Sequence, residues 1–266
     1  MIIDFHTHAF PDDLAERAVS SVFSSFDDTF NPTPAHNGTI NGLISNLNEW
    51  NIDACVLLPV ITKQSQFIKL NEWSASVASG QIISFGGIFP HTKNYKDDID
   101  FVVSLGLKGL KFHAEYQDFL VDDEHMIKIY DYALSKGLIV LHHGGCDPSF
   151  PPPYKSTPKQ FARISRLLQG GIFIVAHMGG HRQWDQVEMD LAGSNVYLDT
   201  SSGFEFYSHD QFMRIVKIHG ADKILFGSDS PWNIAKTEID HIMTLPLSEN
   251  DRDAILGGNA VKILGL

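Results

Sequence analysis

The chain has 266 residues, 43% of them hydrophobic, which suffices for one large core, and its 20 Lys and Arg against 32 Asp and Glu give a formal charge of −12. That acidic balance disfavours phosphate backbones and anionic lipid surfaces, so neither nucleic acid nor membrane is expected as a partner. The opening MIIDFHTHAF carries no basic leader, no later stretch stays uncharged and apolar for the roughly 20 residues of a span, and Cys55 and Cys146 stand isolated. The expectation is a soluble, cytoplasmic protein forming one domain over residues 1–266, with a homo-oligomer left open.

Short β-branched or aromatic runs recur along the chain: IIDF, ACVLLP, IISFGGIF, LKGLKF, LIVLH, IFIVAH, VYLDT and ILFGS. After the first run comes FPDDLAERAVSSVFSSF and then the breaker-rich NPTPAHNG, which reads as an inserted helix and loop placed to form a lid or a plain surface excursion. Helical spacing separates most of the later runs. DDEHMIKIYDYALSKG is one example, with Asp122 or Asp123 to cap its start and Gly137 to end its last turn. Runs that are apolar along their whole length suit strands covered on both faces, hence a parallel sheet. Eight β-then-α units, with no glycine-rich fingerprint after the first strand, point to an α/β fold closed as a (β/α)₈ barrel rather than an open doubly wound sheet.

Several of the thirteen histidines fall at predicted strand ends, where barrel side chains meet at one mouth. His6 and His8 flank Thr7, and period-two geometry sends both imidazoles to one side. The fifth run ends at His142, the sixth at His177 and the eighth at Asp229. Imidazole and carboxylate from four strand ends suit a borderline divalent cation, zinc first and manganese as the alternative, with one coordination position open for catalysis. Such an ion lowers the pKa of water, and Asp229 stands where a carboxylate can take the proton.

The set DFHTH, GLKFH, HHGG, AHMGG, GSDSPW and the closing GGNAVKIL resembles the amidohydrolase superfamily, in its branch of amidohydrolase-related TIM-barrel metal-dependent hydrolases, over nearly the whole chain. The resemblance implies His6, His8, His142 and Asp229 as ligands of one metal ion, with His177 a further ligand or a catalytic acid that touches substrate. It favours His142 over His143, because adjacent side chains on a strand face opposite ways and the family motif places its histidine before a small residue and glycine. At the fourth strand end, where two-metal relatives carry a bridging group, stand Lys111 and His113. Both are candidates for contact with substrate, and Lys111 reads equally well as a solvated lysine or as a contact to a substrate anion or a carbamate bridge. Glu115, Tyr116, Arg182 and Trp184 could also reach a substrate, and Trp232 could wall the pocket. Cys146, Asp147 and the prolines from Pro151 to Pro153 form a loop that would shape it, and Asp199 could orient a ligand histidine from behind.

Three functions remain in competition. The first is hydrolysis of an amide, lactone or ester of a small molecule by metal-activated water. The second is non-oxidative decarboxylation of an unsaturated or aromatic acid, implied by resemblance to aminocarboxymuconate semialdehyde decarboxylase. The third is a barrel that binds metal or ligand without turnover.

Overall fold

The eight apolar runs become eight short strands in a computed structural model that describes residues 1–24 and 33–266. They are β1 (Ile3–Thr7), β2 (Ala54–Leu57), β3 (Ile82–Ser84), β4 (Gly109–Phe112), β5 (Ile139–His142), β6 (Phe173–Val175), β7 (Tyr197–Asp199) and β8 (Ile224–Leu225). All ladders are parallel and run in chain order, β1 to β3 and β4 to β8. Two backbone seams close the ring. Gly86 N–H donates to Gly109 O (2.8 Å) and Lys111 N–H to Gly86 O (2.9 Å) between β3 and β4. Phe5 N–H donates to Phe226 O (2.8 Å) and Asp229 N–H to His6 O (2.8 Å) where β8 meets β1. The result is the (β/α)₈ barrel expected from the alternation of elements.

Strands covered on both faces need two apolar layers, and two separate clusters are found. Ile3, Phe5, Val56, Phe85, Leu141 and Ile174 fill the barrel interior. Leu110, Phe112, Val140, Phe173 and Val175 pack outward against helix residues such as Ile129, Tyr130 and Phe161. Each fully buried side chain of this size contributes about 1.5–3 kcal/mol, which is what holds the helices on the sheet.

The helices are α1 (Asp12–Phe23), α2 (Ile40–Glu49), α3 (Phe67–Ser76), α4 (Tyr95–Ser104), α5 (Ala114–Gln117), α6 (Glu124–Ser135), α7 (Pro158–Leu167), α8 (Trp184–Gln186), α9 (His209–His219), α10 (Ala235–Thr244), α11 (Glu249–Asp253) and α12 (Asn259–Leu264). Their starts follow local chemistry: Thr157 and Gln160 form a capping box with Pro158 in the first turn of α7, and Ser208 caps α9. At α6 the chain enters through Asp123, whose side chain makes no capping bond, while Asp122 accepts from Gln160 (2.9 Å) and Arg163 (2.8 Å) of α7. Gly137, at φ +79°, closes that helix as its sequence suggests. The helix expected after β1 forms as α1, and part of the loop expected beyond it, residues 25–32, lies outside the described residues. Among the described residues no helix is long and apolar enough to cross a membrane.

Candidate metal centre

The first strand carries an irregularity that aims the HxH pair. Its register runs Ile3 to Ala54 and Asp4 to Cys55, then Thr7 to Leu57, so three steps on β1 oppose two on β2. One extra residue in a strand reverses which side chains face inward. Before it Ile3 and Phe5 point into the barrel; after it His6 and His8 line the cavity at the mouth. Thr7 turns away and donates its hydroxyl to Val56 O at 2.8 Å.

Hydrogen bonds set the tautomers of both imidazoles. His6 Nδ1 lies 2.9 Å from Asp199 Oδ2 and His8 Nδ1 lies 2.8 Å from Leu58 O. A carboxylate and a carbonyl only accept, so each Nδ1 carries the proton and each Nε2 presents a lone pair. Those two Nε2 atoms converge on Asp229 Oδ1, at 3.4 Å and 3.3 Å. Three acceptors facing one another with no proton between them suit a cation. Donors 2.0–2.2 Å from a tetrahedral ion sit roughly 3.3–3.5 Å apart, the spacing seen here. With three protein ligands, one position stays open.

Behind these atoms lies a fixed frame. Ser202 donates to Asp229 Oδ2 (2.9 Å), and Asn233 in turn donates to the Ser202 hydroxyl (3.1 Å). Asp199 also accepts from the amides of His177 and Ser201 (both 3.1 Å) and from the Ser201 hydroxyl. Gly227 has no side chain because a Cβ there would meet His6 Cβ at 2.9 Å. Burial opposes charge on Asp229, yet the imidazoles of His6, His8 and His177 outweigh it and hold the carboxyl well below its usual range. Left-handed backbone at His177, Met178, Arg182, Ser202 and Asp229 concentrates conformational strain around this mouth.

Lys111 is buried, with Nζ 3.0 Å from His6 Nε2, so its reading as a solvated lysine is corrected. Burial brings its pKa down to about 8 against the pull of Asp199 and Asp229. His113, two residues on, also lines the cavity, as do Tyr116 and Trp232. Glu115 instead accepts from Lys155 N–H (2.8 Å), Arg182 stacks its guanidinium over Phe206 (4.7 Å), and Trp184 donates to His177 O (2.9 Å).

The fifth strand overturns one expectation. His142, expected as a metal ligand, is not at the mouth: its ring lies in the outer layer, stacked on Phe112 (5.1 Å, 11°) and Phe173 (5.6 Å, 18°), with neither nitrogen hydrogen-bonded. The physical reason is parity. Leu141 pairs with inward Lys111 and His142 with outward Phe112, so the next inward residue is His143, which lines the cavity. Burial first, then the nearby Lys111 and His113, drive the His142 pKa well below its ordinary value, leaving a neutral ring used as an aromatic spacer.

His143 and His177 form a directed pair. His177 Nδ1 lies 3.0 Å from Ser201 O, an acceptor, so it carries the proton and its Nε2 takes one from His143 Nδ1 at 2.9 Å. His143 Nε2 is then a buried lone pair without a partner. The loop after β5 is tied to the loop after β6 by the backbone, Cys146 N–H to His181 O (3.0 Å) and His181 N–H to Gly144 O (2.8 Å). It carries Asp147, which accepts from Ser149 N–H (2.7 Å) and from His113 Nε2 (3.1 Å). The cavity so enclosed measures about 260 Å³, with Phe10 and Val22 of the inserted segment, Leu58, Phe206 and Trp232 as apolar walls.

The amidohydrolase family profile matches residues 69–266. No curated protein sequence matches the chain. Among solved structures, a TIM-barrel protein of Bordetella bronchiseptica superposes with TM-score 0.77 at 17% identity, covering 99% of this chain and 98% of that one. The 5-carboxyvanillate decarboxylase of Sphingomonas paucimobilis follows the fold with TM-score 0.70 at 13% identity (100% and 99% covered). A probable 2-pyrone-4,6-dicarboxylic acid hydrolase of Acinetobacter baumannii does so with TM-score 0.66 at 16% identity (100% and 99% covered). Identities this low speak for the barrel alone, whereas the profile spans most of the strands that build the mouth: the chain belongs to the amidohydrolase family.

Proposed function

We propose that residues 1–266 form one metal-dependent hydrolase acting on an amide, lactone or ester of a small molecule, with His6, His8 and Asp229 holding a single divalent ion, zinc or manganese. The observation that carries the reading is the convergence of two imidazole lone pairs on Asp229 Oδ1 at 3.4 Å and 3.3 Å. A divalent ion at that point lowers the pKa of water and polarises a carbonyl.

The chain's own residues supply the rest. Asp199 and Leu58 O fix the two tautomers, and Asp229, ionised and steadied by Ser202, accepts a proton on Oδ2. His177 gains a proton only by drawing on His143: a proton taken up at His143 Nε2 releases the Nδ1 proton to His177 Nε2. The pair is therefore the acid that returns a proton to a leaving group, and His143 replaces His142 as the functional residue of β5. Lys111 supplies positive charge beside His6, and Trp232 with Phe206 excludes water from the apolar end.

Decarboxylation is the second reading, favoured by one feature, the buried Lys111 ammonium next to the ligand cluster, which suits a substrate carboxylate. The structures that share its fold include both a decarboxylase and a probable hydrolase.

Elemental analysis of the protein purified without chelator, beside His6→Ala and Asp229→Asn, tests the centre; one ion in the wild type and its loss in His6→Ala are expected. Screening lactones, amides and aromatic acids with paired detection of acid release and carbon dioxide then separates the two reactions. An ion held equally by wild type and His6→Ala, or no ion after zinc and manganese are supplied, overturns the centre and leaves a ligand-binding barrel.

A further inference from the structure

Charges along one wall of the cavity run in a fixed order. Lys111 on β4 lies deep, with Nζ 3.0 Å from His6 Nε2. Two residues on, roughly 6–7 Å along an extended chain, His113 donates from Nε2 to Asp147 Oδ2 at 3.1 Å. Ser149 N–H anchors Asp147 a second time, 2.7 Å from Oδ1, so the loop after β5 fixes this carboxylate at the outer end of the wall. Burial opposes its charge, yet the bonds from His113 and Ser149 prevail and keep the Asp147 pKa below the ordinary value. A cation thus stands at the inner end and an anion at the outer one, and both side chains line the cavity.

The remaining lining offers little to neutralise a second negative charge. Among the described residues that line the cavity Lys111 is the one Lys or Arg, and the stretch outside the described residues, SFDDTFNP, contains neither. Burial pulls the pKa values of His143, His177 and His181 below the ordinary imidazole range, so these rings are neutral at pH 7.5. Arg182 follows His181 but is exposed and lies over the Phe206 ring at 4.7 Å. The apolar lining comes from Phe10, Val22, Leu58, Val60, Phe206 and Trp232, where an ion would lose its water without compensation. At about 260 Å³ the space falls below the roughly 300–1,000 Å³ of pockets for drug-sized ligands, which leaves room for a molecule of one ring.

We propose, resting on the function given above, that Asp147 determines specificity: it bars a second anionic group, so the site takes a one-ring substrate that is neutral or carries a single carboxylate beside Lys111, with a hydroxyl or N–H favoured at the end facing the β5 loop. Asp147 accepts one hydrogen bond on each oxygen, and the lone pairs left over suit a donor on the substrate. A second carboxylate in that place meets a fixed negative charge, and turned away from it meets the apolar lining. Two unit charges about 5–6 Å apart in a partly buried site repel enough to weaken binding about 10- to 100-fold.

Isothermal calorimetry at pH 7.5 on the metal-supplied protein compares benzoate, 3-hydroxybenzoate and isophthalate, which differ only at the position meta to the first carboxylate. Wild type should bind 3-hydroxybenzoate at least as tightly as benzoate, and isophthalate about 10- to 100-fold more weakly. Asp147→Asn keeps an oxygen for Ser149 N–H and removes the charge, so the isophthalate penalty should shrink about tenfold or more while benzoate shifts little. The wild-type comparison stands even where Asp147→Asn misfolds, which circular dichroism reports. Isophthalate bound as tightly as benzoate overturns the proposal, as does a folded Asp147→Asn chain with an unchanged penalty, or a wild type that binds none of the three. Tight isophthalate binding that disappears in Arg182→Ala would show the exposed guanidinium serving the second carboxylate instead. Failure of the metal centre looks different: elemental analysis then finds no ion, while the gap between benzoate and isophthalate, set by Lys111 and Asp147 rather than by the ligands, persists.

Discussion

Replacing His142 by Phe should leave the bound metal untouched and make the protein more resistant to acid. The wild-type ring is completely buried between Phe112 and Phe173 and stays neutral in the folded chain, because burial first, and the nearby charge of Lys111 after it, push its pKa far below the ordinary 6.5. Below pH 6.5 the unfolded chain binds a proton here that the folded chain refuses, so this residue's contribution is intact above 6.5 and is lost as pH falls. The slope is one proton's worth, about 1.4 kcal/mol per pH unit. At pH 7.5, Phe relieves two unpartnered nitrogens, about 1–3 kcal/mol each, and keeps the stack, while its extra bulk costs about 1–3 kcal/mol. The variant should therefore lie within about 2 kcal/mol of wild type at pH 7.5 and gain on it by about 1.4 kcal/mol in total between pH 7.5 and 5.5, most of it below 6.5. Urea unfolding at pH 7.5, 6.5 and 5.5, with metal content measured alongside, supplies both readings. Parallel pH profiles, or loss of the ion from a folded variant, would refute the assignment of His142 to the outer layer.

Three further outcomes follow from the same geometry. Asp199→Asn removes the charge that sets the His6 tautomer and should weaken metal affinity about 10- to 100-fold, read by competition with a chelator, with little change in secondary structure. Lys111→Met removes a positive charge 3.0 Å from a ligand nitrogen, so it should hold the ion at least as tightly while binding aromatic carboxylates more weakly; calorimetry checks both. Gly145→Ala forces a Cβ to within 2.4 Å of His181 N at a φ of +84°, and should lower stability by more than about 1 kcal/mol in thermal unfolding.

The barrel was legible because its strands are bracketed by turn residues and are apolar on both faces, a pattern that few other folds demand. The meeting of the HxH pair with Asp229 at one mouth was legible from their places at strand ends, although the bulge that turns His6 and His8 inward depends on the pairing with β2. The fifth strand defeated the reading for the very reason that revealed the fold. In GLKFH, polar Lys111 and His113 alternate with apolar neighbours and mark the inner face; in LIVLHH no residue before the histidines marks either face. Only the register with β4 decides between His142 and His143. Ser201 and Ser202 offered no signal beyond an unremarkable pair of hydroxyls, since their roles arise from the left-handed backbone at Ser202 and from partners about 25 residues or more away in sequence.

The seam between β1 and the end of β8 joins the first and last strands of the barrel. Asp4 accepts from Ser228 N–H (2.9 Å) across 224 residues, and the three donors of the candidate metal centre straddle the same join. An ion held there acts as a staple on the ring. It cannot be gripped until the last strand has docked against the first, and once gripped it opposes their parting. Its contribution to stability grows as RT ln(1 + [ion]/Kd), so a chelator should unzip the barrel from this join, with amide exchange rising first in β1 and the segment after β8.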